Sequence, residues 1–287
     1  MSGRQLPAHI AAALAGNARN LTDSAGQAWA GRDLSGPDNP LHAFDDDDGA
    51  ADASLAAAVG RLREDAASPG PGERGVVEAL AAARVFIPVV AELAQQAQGA
   101  AGLHADKEAD MSLVVLTAPD GRKALPVFSS TAALSAWHPA ARPVAAYAAR
   151  AALAAAAEEA ELMVLDPGAE LTFVVRRPAL WCLAQQRPWT PSYEDRAVAE
   201  LVRDAAEQEV AVLSVALRPG GGILSRAADG SIASGGGQGP ELRMDLQLRE
   251  GLTPQEVRTV VASVRTRLSG LAEFVERVDS LDIKLTL

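Results

Sequence analysis

The sequence predicts an α+β fold made of two small mixed or antiparallel sheets, each covered by helices, behind a partly disordered N-terminal lead. An Asp120-Gly121 turn between two short apolar runs is typical of a β-hairpin, because glycine readily adopts the positive φ that the turn requires. Residues 242–248 alternate apolar and polar side chains, as a half-buried strand does. Residues 192–207 carry apolar side chains at helical spacing, which predicts an amphipathic helix packed on such a sheet.

Residues 1–52 are predicted to form a flexible acidic lead. Residues 36–40 combine glycine, prolines and asparagine, which interrupt regular structure. Four aspartates follow at 45–48, and adjacent like charges repel each other and stay in water. A calcium-binding loop needs acidic residues at alternate positions, so this contiguous run favours a solvated segment over a calcium site.

Residues 53–188 are predicted to form an N-terminal α+β domain. The apolar spacing predicts helices over 54–64, 74–83, 130–137, 145–160 and 178–184, and strands over 85–90, 112–117, 123–128, 162–165 and 171–175. Pro88 cannot donate a hydrogen bond to a neighbouring strand, so its strand is predicted to lie at a sheet edge or to contain a bulge. Ser129 and Ser130 lack the frame of a nucleophile elbow, which favours a role as helix N-cap.

Residues 192–287 are predicted to form a second α+β domain, in the order α-β-β-α-β with two helices on one face, after a linker at 187–191. Residues 210–217 are apolar on both faces, which predicts a strand at the centre of the sheet. Thr253 and Glu256 have the spacing of a capping box at a helix start. The glycine-rich stretch 219–239 joins strand to strand and lacks a phosphate-binding motif, so a flexible loop is predicted there.

The charge of the chain excludes two classes of partner. Its 287 residues carry a formal net charge of −11. No third of the chain is basic, so we expect neither nucleic acid nor a membrane surface as partner. The most apolar long stretch, 144–157, is mostly alanine and too short to span a bilayer. The single cysteine, Cys182, makes an internal disulfide impossible, and together these features predict a cytoplasmic protein.

The residue patterns indicate no catalytic residue, no metal site and no cofactor. None of the four histidines lies at zinc-ligand spacing from another histidine or from Cys182. Cys182 lies in an apolar helix whose arginines are only at its ends, which favours a small buried side chain over a reactive thiolate. The chain is therefore predicted to be non-catalytic, although a single sequence leaves an enzyme open.

The binding candidates are charged residues at strand ends and on one predicted sheet face. The polar face of the second sheet is interpreted either as solvated or as a docking surface of mixed charge. A cluster before residue 112 is interpreted either as a solvated loop or as a polar site. The candidates are Lys107, Asp110, Arg122, Asp166, Arg243, Arg249 and Lys284.

Residues 39–190 carry a succession of short motifs that resembles the SseB N-terminal domain family, the enhanced serine sensitivity proteins, in its actinobacterial form. The motifs include the acidic run 46–52, residues 120–130 from Asp120 through Ser130, Trp137 and the Leu165-Asp166-Pro167 triplet. The resemblance implies an α+β domain and no established reaction. The arginine- and glycine-rich loop of rhodanese-type sulfur transfer has no counterpart around Cys182.

Together these observations predict a non-catalytic cytoplasmic protein that binds or regulates a protein partner, in the manner of an adaptor. Two alternatives stay open at this point. One is an enzyme whose site is assembled from strand-end loops such as 103–111 and 166–170. The other is a secretion-associated or self-assembling structural protein.

Overall fold

The described strands form four sheets, two within residues 84–175 and two within residues 212–286. The computed structural model describes residues 43–64, 71–93, 109–226, 232–234 and 239–286. The chain divides into two units, Met1–Asp48 and Gly49–Leu287, and the described helices and strands all lie in the second. Most of the predicted lead, residues 1–42, lies outside the described residues. Within Gly49–Leu287 we call residues 49–184 the first region and residues 192–286 the second region, and the predicted domain boundaries stay a prediction.

The first region contains seven strands and five helices among its described residues. In chain order they are α1 (Ala53–Glu64), α2 (Pro71–Ala82), β1 (Arg84–Leu93), β2 (Ala109–Leu113), β3 (Leu116–Thr117), β4 (Lys123–Val127), α3 (Thr131–Trp137), β5 (Arg142–Tyr147), α4 (Ala148–Ala157), β6 (Leu162–Leu165), β7 (Phe173–Val175) and α5 (Arg177–Ala184). Strands β2-β1-β5 form an antiparallel sheet. Strands β3-β4-β6-β7 form a mixed sheet in which β4 and β6 run parallel.

Helices α1, α2, α4 and α5 pack against one face of the four-stranded sheet. Alternate strand residues supply that face, because successive side chains of a strand point to opposite sides. The buried strand residues are Leu125, Val127, Met163, Leu165, Phe173 and Val175. Helix α4 contributes the fully buried alanines 148, 151, 152 and 155, whose small side chains let the helix lie close to the sheet. The alanine-rich composition therefore serves close packing here.

The strand that contains Pro88 is central and its two ladders show no register shift, so the prediction of an edge strand or a bulge is wrong. Strand β1 lies between β2 and β5. Its ladder with β5 covers Arg84–Val89, and its ladder with β2 covers Val89–Leu93. Pro88 pairs with Pro143 of β5 and precedes the β2 ladder by one residue. The missing N–H therefore falls where β1 changes from one neighbour to the other.

Two local signals in the first region, the turn at Gly121 and the N-cap at Ser130, are confirmed by the structure. Gly121 has a φ of 88° in the turn between β3 and β4, which pair as antiparallel neighbours. The predicted first arm of that hairpin is divided, because residues 109–113 belong to β2 in the other sheet. Ser130 is the N-cap of α3, and its Oγ accepts a hydrogen bond from the Ala133 N–H at 3.1 Å. The N-cap interpretation is thus confirmed.

The second region has five strands, three α-helices and one short 3-10 helix (Gly221–Ile223) in its described part. The strands and α-helices are α6 (Arg196–Glu207), β8 (Val212–Pro219), β9 (Leu224–Arg226), β10 (Ile232–Ser234), β11 (Leu242–Leu248), α7 (Pro254–Ser269), α8 (Ala272–Arg277) and β12 (Leu281–Thr286). The main sheet has the order β12-β11-β8, with β11 antiparallel to β8 and parallel to β12. The prediction had two helices where α6, α7 and α8 are found. The α+β fold class with mixed and antiparallel sheets is confirmed.

Two expectations for the second region are corrected. The strand within 210–217 was expected at the centre of the sheet, but β8 is an edge strand and β11 is central. The ladder shifts register between Gln247 and Leu248, and Leu213 at this irregularity is 62% exposed. The glycine-rich stretch was expected to be a flexible loop, but β9 and β10 pair within it as antiparallel strands. The apolar residues on both faces of 210–217 therefore belong to a partly exposed edge strand, not to a central one.

Helix α7 begins with the predicted capping box. The Thr253 N–H donates to Glu256 Oε2 at 2.7 Å, and the Glu256 N–H donates to Thr253 Oγ1 at 3.3 Å. Helices α7 and α8 then form the crossover that returns the chain to β12, parallel to β11. Among the helices that the structure describes, none combines the length and the apolar character needed to cross a membrane.

Candidate functional site

A cleft lies over the outer face of the four-stranded sheet, opposite the helices. The side chains that alternate with the buried core residues of β4, β6 and β7 form its floor. The cleft has a volume of about 680 Å³. Its lining consists of Leu116, Thr117, Ala118, Pro119, Asp120, Arg122, Ala124, Leu162, Val164, Val174, Arg176 and Gly239. A concave, mostly apolar surface with a few polar groups at one end is typical of a ligand-binding site.

Two arginines of the first region meet one carboxylate of the second region at the polar end of the cleft. Arg122 Nη1 lies 2.8 Å from Asp279 Oδ1, and Arg176 Nη1 lies 3.0 Å from Asp279 Oδ2. The Asp279 side chain is 1% exposed and that of Arg176 is 7% exposed. Each carboxylate oxygen thus holds one guanidinium, which compensates the burial of these charges.

Arg176 also binds the backbone of the glycine-rich stretch. Its Nη2 donates to the Gly222 carbonyl oxygen at 2.7 Å and to the Gly239 carbonyl oxygen at 3.2 Å. Glycine is required at 222, because a Cβ there would overlap the Gly239 carbonyl oxygen. Gly239 itself has a φ of 116°, which side chains rarely permit. The glycines therefore bring two backbone segments together beneath Arg176.

A second buried polar cluster lies next to Arg176 and joins the same two regions. Glu241 accepts from the Ser192 hydroxyl at 2.9 Å and from the Asp279 N–H at 2.9 Å. Glu73 in α2 accepts a hydrogen bond from the Tyr193 hydroxyl at 2.9 Å. Both carboxyl groups are almost entirely buried, since Glu73 is 4% and Glu241 is 2% exposed.

Burial dominates the acid–base behaviour of this cluster. Burial raises the pKa of Glu73, the hydrogen bond from Tyr193 lowers it, and the charge of Glu241 raises it. The resulting pKa of Glu73 is about 7. Burial likewise raises the pKa of Glu241, although the hydrogen bond from the Asp279 N–H opposes it. The pKa of Tyr193 is also raised, first by burial and then by the Glu73 charge. Glu73 is therefore a carboxyl group that titrates near neutral pH inside the protein.

Of the predicted binding residues, Arg122 alone lines the cleft among those that the structure describes. Asp166 lies at the opposite end of β4 and β6, because it follows β6 whereas Arg122 precedes β4. Its Oδ1 accepts the Ser129 N–H at 2.8 Å, and its φ of 50° is left-handed. Burial raises the pKa of Asp166. The contacts of Asp166 thus hold a turn at the far end of the sheet.

The loop candidates are not brought to the cleft by anything the structure describes. Lys107 lies outside the described residues, as does most of the loop 103–111. The backbone of Asp110 belongs to β2 and pairs with Glu92 of β1 in the other sheet. The enzyme alternative based on these loops therefore stays a prediction.

Arg243, Arg249 and Lys284 lie on the polar side of the second sheet or at its end, away from the cleft lining. Asp245 Oδ2 accepts a hydrogen bond from Arg218 Nε at 2.9 Å, and Asp245 Oδ1 lies 2.9 Å from Arg243 Nε. Arg249 and Lys284 are exposed. This surface is the mixed-charge face predicted as either solvated or a docking surface, and that choice stays open.

Cys182 is half-buried, whereas its apolar surroundings in the sequence predicted a buried side chain. Its pKa is raised by burial, which disfavours the thiolate form that nucleophilic attack needs. Within the described ranges, no group of three or more His, Cys, Asp or Glu side chains is placed to hold a metal ion.

Most of the buried polar groups of the site were not among the binding residues predicted from the sequence. Arg176 and Asp279 are 103 residues apart, and Glu73 and Tyr193 are 120 residues apart. One signal was available, since Arg176 and Arg177 directly follow an apolar strand and precede an apolar helix. Glu241 likewise stands directly before the alternating strand β11.

Residues 55–182 match the family of the SseB protein N-terminal domain, so the predicted resemblance is confirmed over this range. The actinobacterial form stays a prediction. Arg122 and Arg176 lie inside the matched residues, whereas Asp279 and Glu241 lie beyond them. Searches of curated proteins and of solved structures gave no match.

Proposed function

We propose that this chain, which carries an SseB N-terminal domain over residues 55–182, is a non-catalytic, adaptor-like binding protein of the cytoplasm. We further propose that the cleft is its binding site. The observation that carries the proposal is the 680 Å³ apolar cleft whose Arg122 and Arg176 are held in ion pairs. Such a surface suits binding, since apolar area supplies affinity and a few fixed polar groups supply orientation.

Contacts of the candidate reactive groups support a non-catalytic role. Ser130 is engaged as a helix cap, and Asp166 holds the Ser129 N–H. The raised pKa of the Cys182 thiol disfavours its nucleophilic form. Ser130 and Asp166 therefore have structural contacts that account for their presence.

The position of the cleft supports a regulatory role. Its floor comes from strands of the first region, and Gly239 of the second region contributes to its lining. Asp279, also of the second region, holds both cleft arginines. A molecule bound here contacts both regions, so it stabilises their joint folded state by mass action. We propose that the mixed-charge face around Arg243, Arg249 and Lys284 is then presented to a protein partner.

The test fills the cleft and asks whether binding is lost. Val174 is a half-buried cleft residue in the edge strand β7, and Val174→Trp places a large ring over the floor. The matched control is Val210→Trp, because Val210 is 89% exposed and does not line the cleft. Both variants and the wild type would be titrated with Nile red, a neutral apolar dye, and used for native capture from cytosol.

We expect the wild type and Val210→Trp to bind the dye and to retain the same stoichiometric partner. Val174→Trp should lose dye binding at least about tenfold, which corresponds to about 1.4 kcal/mol, and its capture of the partner should change. Equal dye binding by the two tryptophan variants would overturn the assignment of the cleft. A partner profile that is identical in all three proteins would overturn its regulatory role.

A further inference from the structure

We infer that the cleft takes an amphipathic carboxylate, a small molecule with an apolar chain and one carboxylate group, which binds Arg122 in place of Asp120. This inference rests on the proposed function, because it names the ligand class of the same cleft. Arg122 holds two different carboxylates in the structure, the buried Asp279 and the exposed Asp120.

The inner carboxylate, Asp279, fixes Arg122 in position. Arg122 Nη1 lies 2.8 Å from Asp279 Oδ1, and the Asp279 side chain is almost wholly buried. The other oxygen of Asp279 is bound to Arg176, which is itself buried. Moving Asp279 away would leave a buried guanidinium without its counter-charge, which is strongly unfavourable. Arg122 is therefore presented to the cleft as a preorganised cation.

The outer carboxylate, Asp120, can be exchanged at low cost. Asp120 Oδ2 lies 2.8 Å from both Nε and Nη2 of Arg122. The Asp120 side chain is 52% exposed, and it lies in the hairpin turn two residues before Arg122. Exposed ion pairs contribute little to stability, because water and salt screen them. Asp120 Oδ1 also accepts the Arg122 backbone N–H at 3.1 Å, and water can replace that exposed contact. Asp120 can therefore rotate into solvent when another carboxylate takes its place.

A ligand carboxylate fits the vacated side of the guanidinium, and an apolar chain fits the floor beside it. The Nε and Nη2 groups form a planar pair of donors, which carboxylates bind in a bidentate manner. Leu116, Val164 and Val174 are half-buried and line the same cleft. A carboxylate among such side chains would be unfavourable without a cationic partner. Exchange for Asp120 keeps the charge balance around Arg122, whereas an amine would place two cations together.

The experiment compares three probes of equal chain length, dodecanoate, dodecanol and dodecylamine, below their micelle concentrations. Binding to the wild type would be measured by displacement of Nile red at pH 7.5. The informative variant is Asp120→Asn, which removes the competing charge and keeps the Oδ1 that accepts the Arg122 N–H at 3.1 Å. It is preferred over changes at Arg122, which would leave Asp279 short of a partner.

The matched control is Glu159→Gln. Glu159 forms an exposed ion pair with Lys123 at 3.1 Å and does not line the cleft. This variant changes the net charge of the protein by the same amount as Asp120→Asn, so it reports any general electrostatic effect. Asp120→Asn in turn reports the local exchange at Arg122.

We expect the wild type to bind dodecanoate at least about tenfold more tightly than dodecanol, and dodecylamine most weakly. Asp120→Asn should bind dodecanoate about threefold to fivefold more tightly than wild type, with dodecanol within about twofold. Glu159→Gln should leave all three affinities within about twofold of wild type. Equal affinities of the wild type for dodecanoate and dodecanol would overturn the carboxylate assignment. So would an equal increase in dodecanoate affinity in Asp120→Asn and Glu159→Gln. In either case, binding of dodecanol would still support the cleft as a binding site. Failure of all probes and of Nile red would overturn the proposed function as well.

Discussion

Replacing Glu73 with glutamine is expected to make the folded protein progressively more stable than wild type as the pH rises from about 4.5 to 7. Glu73 is 4% exposed, and burial raises the pKa of its carboxyl group to about 7. The groups that act on it are Tyr193 by a hydrogen bond and Glu241, Arg176 and Glu194 by their charges. Glutamine has nearly the same shape and stays neutral, so it resembles the protonated form of Glu73.

The magnitude follows from the two pKa values of Glu73. In the unfolded chain the carboxyl group has its ordinary value of 4.5, and in the folded protein about 7. Between these values the folded state binds more protons than the unfolded state, so stability falls as the pH rises. Each pH unit contributes about 1.4 kcal/mol, which gives about 3 kcal/mol across the interval. The favourable contribution is complete below pH 4.5 and is lost above pH 7.

The assay is urea unfolding of wild type and Glu73→Gln at intervals from pH 4.5 to pH 8.5. The difference in unfolding free energy should be near zero at the acidic end and should reach about 3 kcal/mol in favour of the variant above pH 7. Glu78→Gln is the control, because Glu78 is an exposed residue of the same helix. A difference between Glu73→Gln and wild type that stays constant with pH would refute the reasoning.

Three further predictions follow from the polar network, the glycine-rich segment and the thiol. Asp279→Asn should lower the unfolding free energy by about 3–5 kcal/mol, because it leaves Arg122 and Arg176 without their shared carboxylate. The control in urea unfolding is Asp282→Asn, at an exposed position. An equal loss of stability in both variants would contradict the role of Asp279 in the network. Gly222→Ala should cost about 1–3 kcal/mol in the same assay, whereas Gly221→Ala, with open space at its Cβ, should cost much less. Cys182 should react with iodoacetamide along a pH profile displaced above that of free cysteine, since burial raises its pKa; an unshifted profile would show that the thiol is solvated.

Local features of the fold could be predicted because neighbouring residues determine them. The turn at Gly121 and the capping box of Thr253 and Glu256 depend on a few adjacent residues, and both are present in the structure. The order of strands in a sheet depends on distant pairings instead. The strand of Pro88 was expected to lie at an edge or to contain a bulge and is central without one, whereas β8 was expected at the centre and lies at an edge. Apolar composition alone does not distinguish these positions.

The candidate site shows the same division between local and distant information. Arg122 could be singled out because it follows the turn glycine at a strand start. Its partner Asp279 is 157 residues away, and nothing in the residues near Asp279 indicates that it is buried. Glu73 and Glu241 have the sequence character of solvent-exposed carboxylates, and only their packed surroundings make them internal. The burial and pairing of these charged groups therefore depend on residues that are distant in the sequence.

The shared carboxylate of Asp279 has an evolutionary consequence. Both arginines that it binds lie within the residues that match the SseB N-terminal domain family, whereas Asp279 itself lies beyond them. A natural protein that carries this domain without the second region would have two neighbouring guanidinium groups and no anion between them. Selection should then replace at least one arginine, so the identities at positions 122 and 176 should covary with the presence of the second region. The presence of both arginines in a related sequence would thus indicate that the second region is present as well.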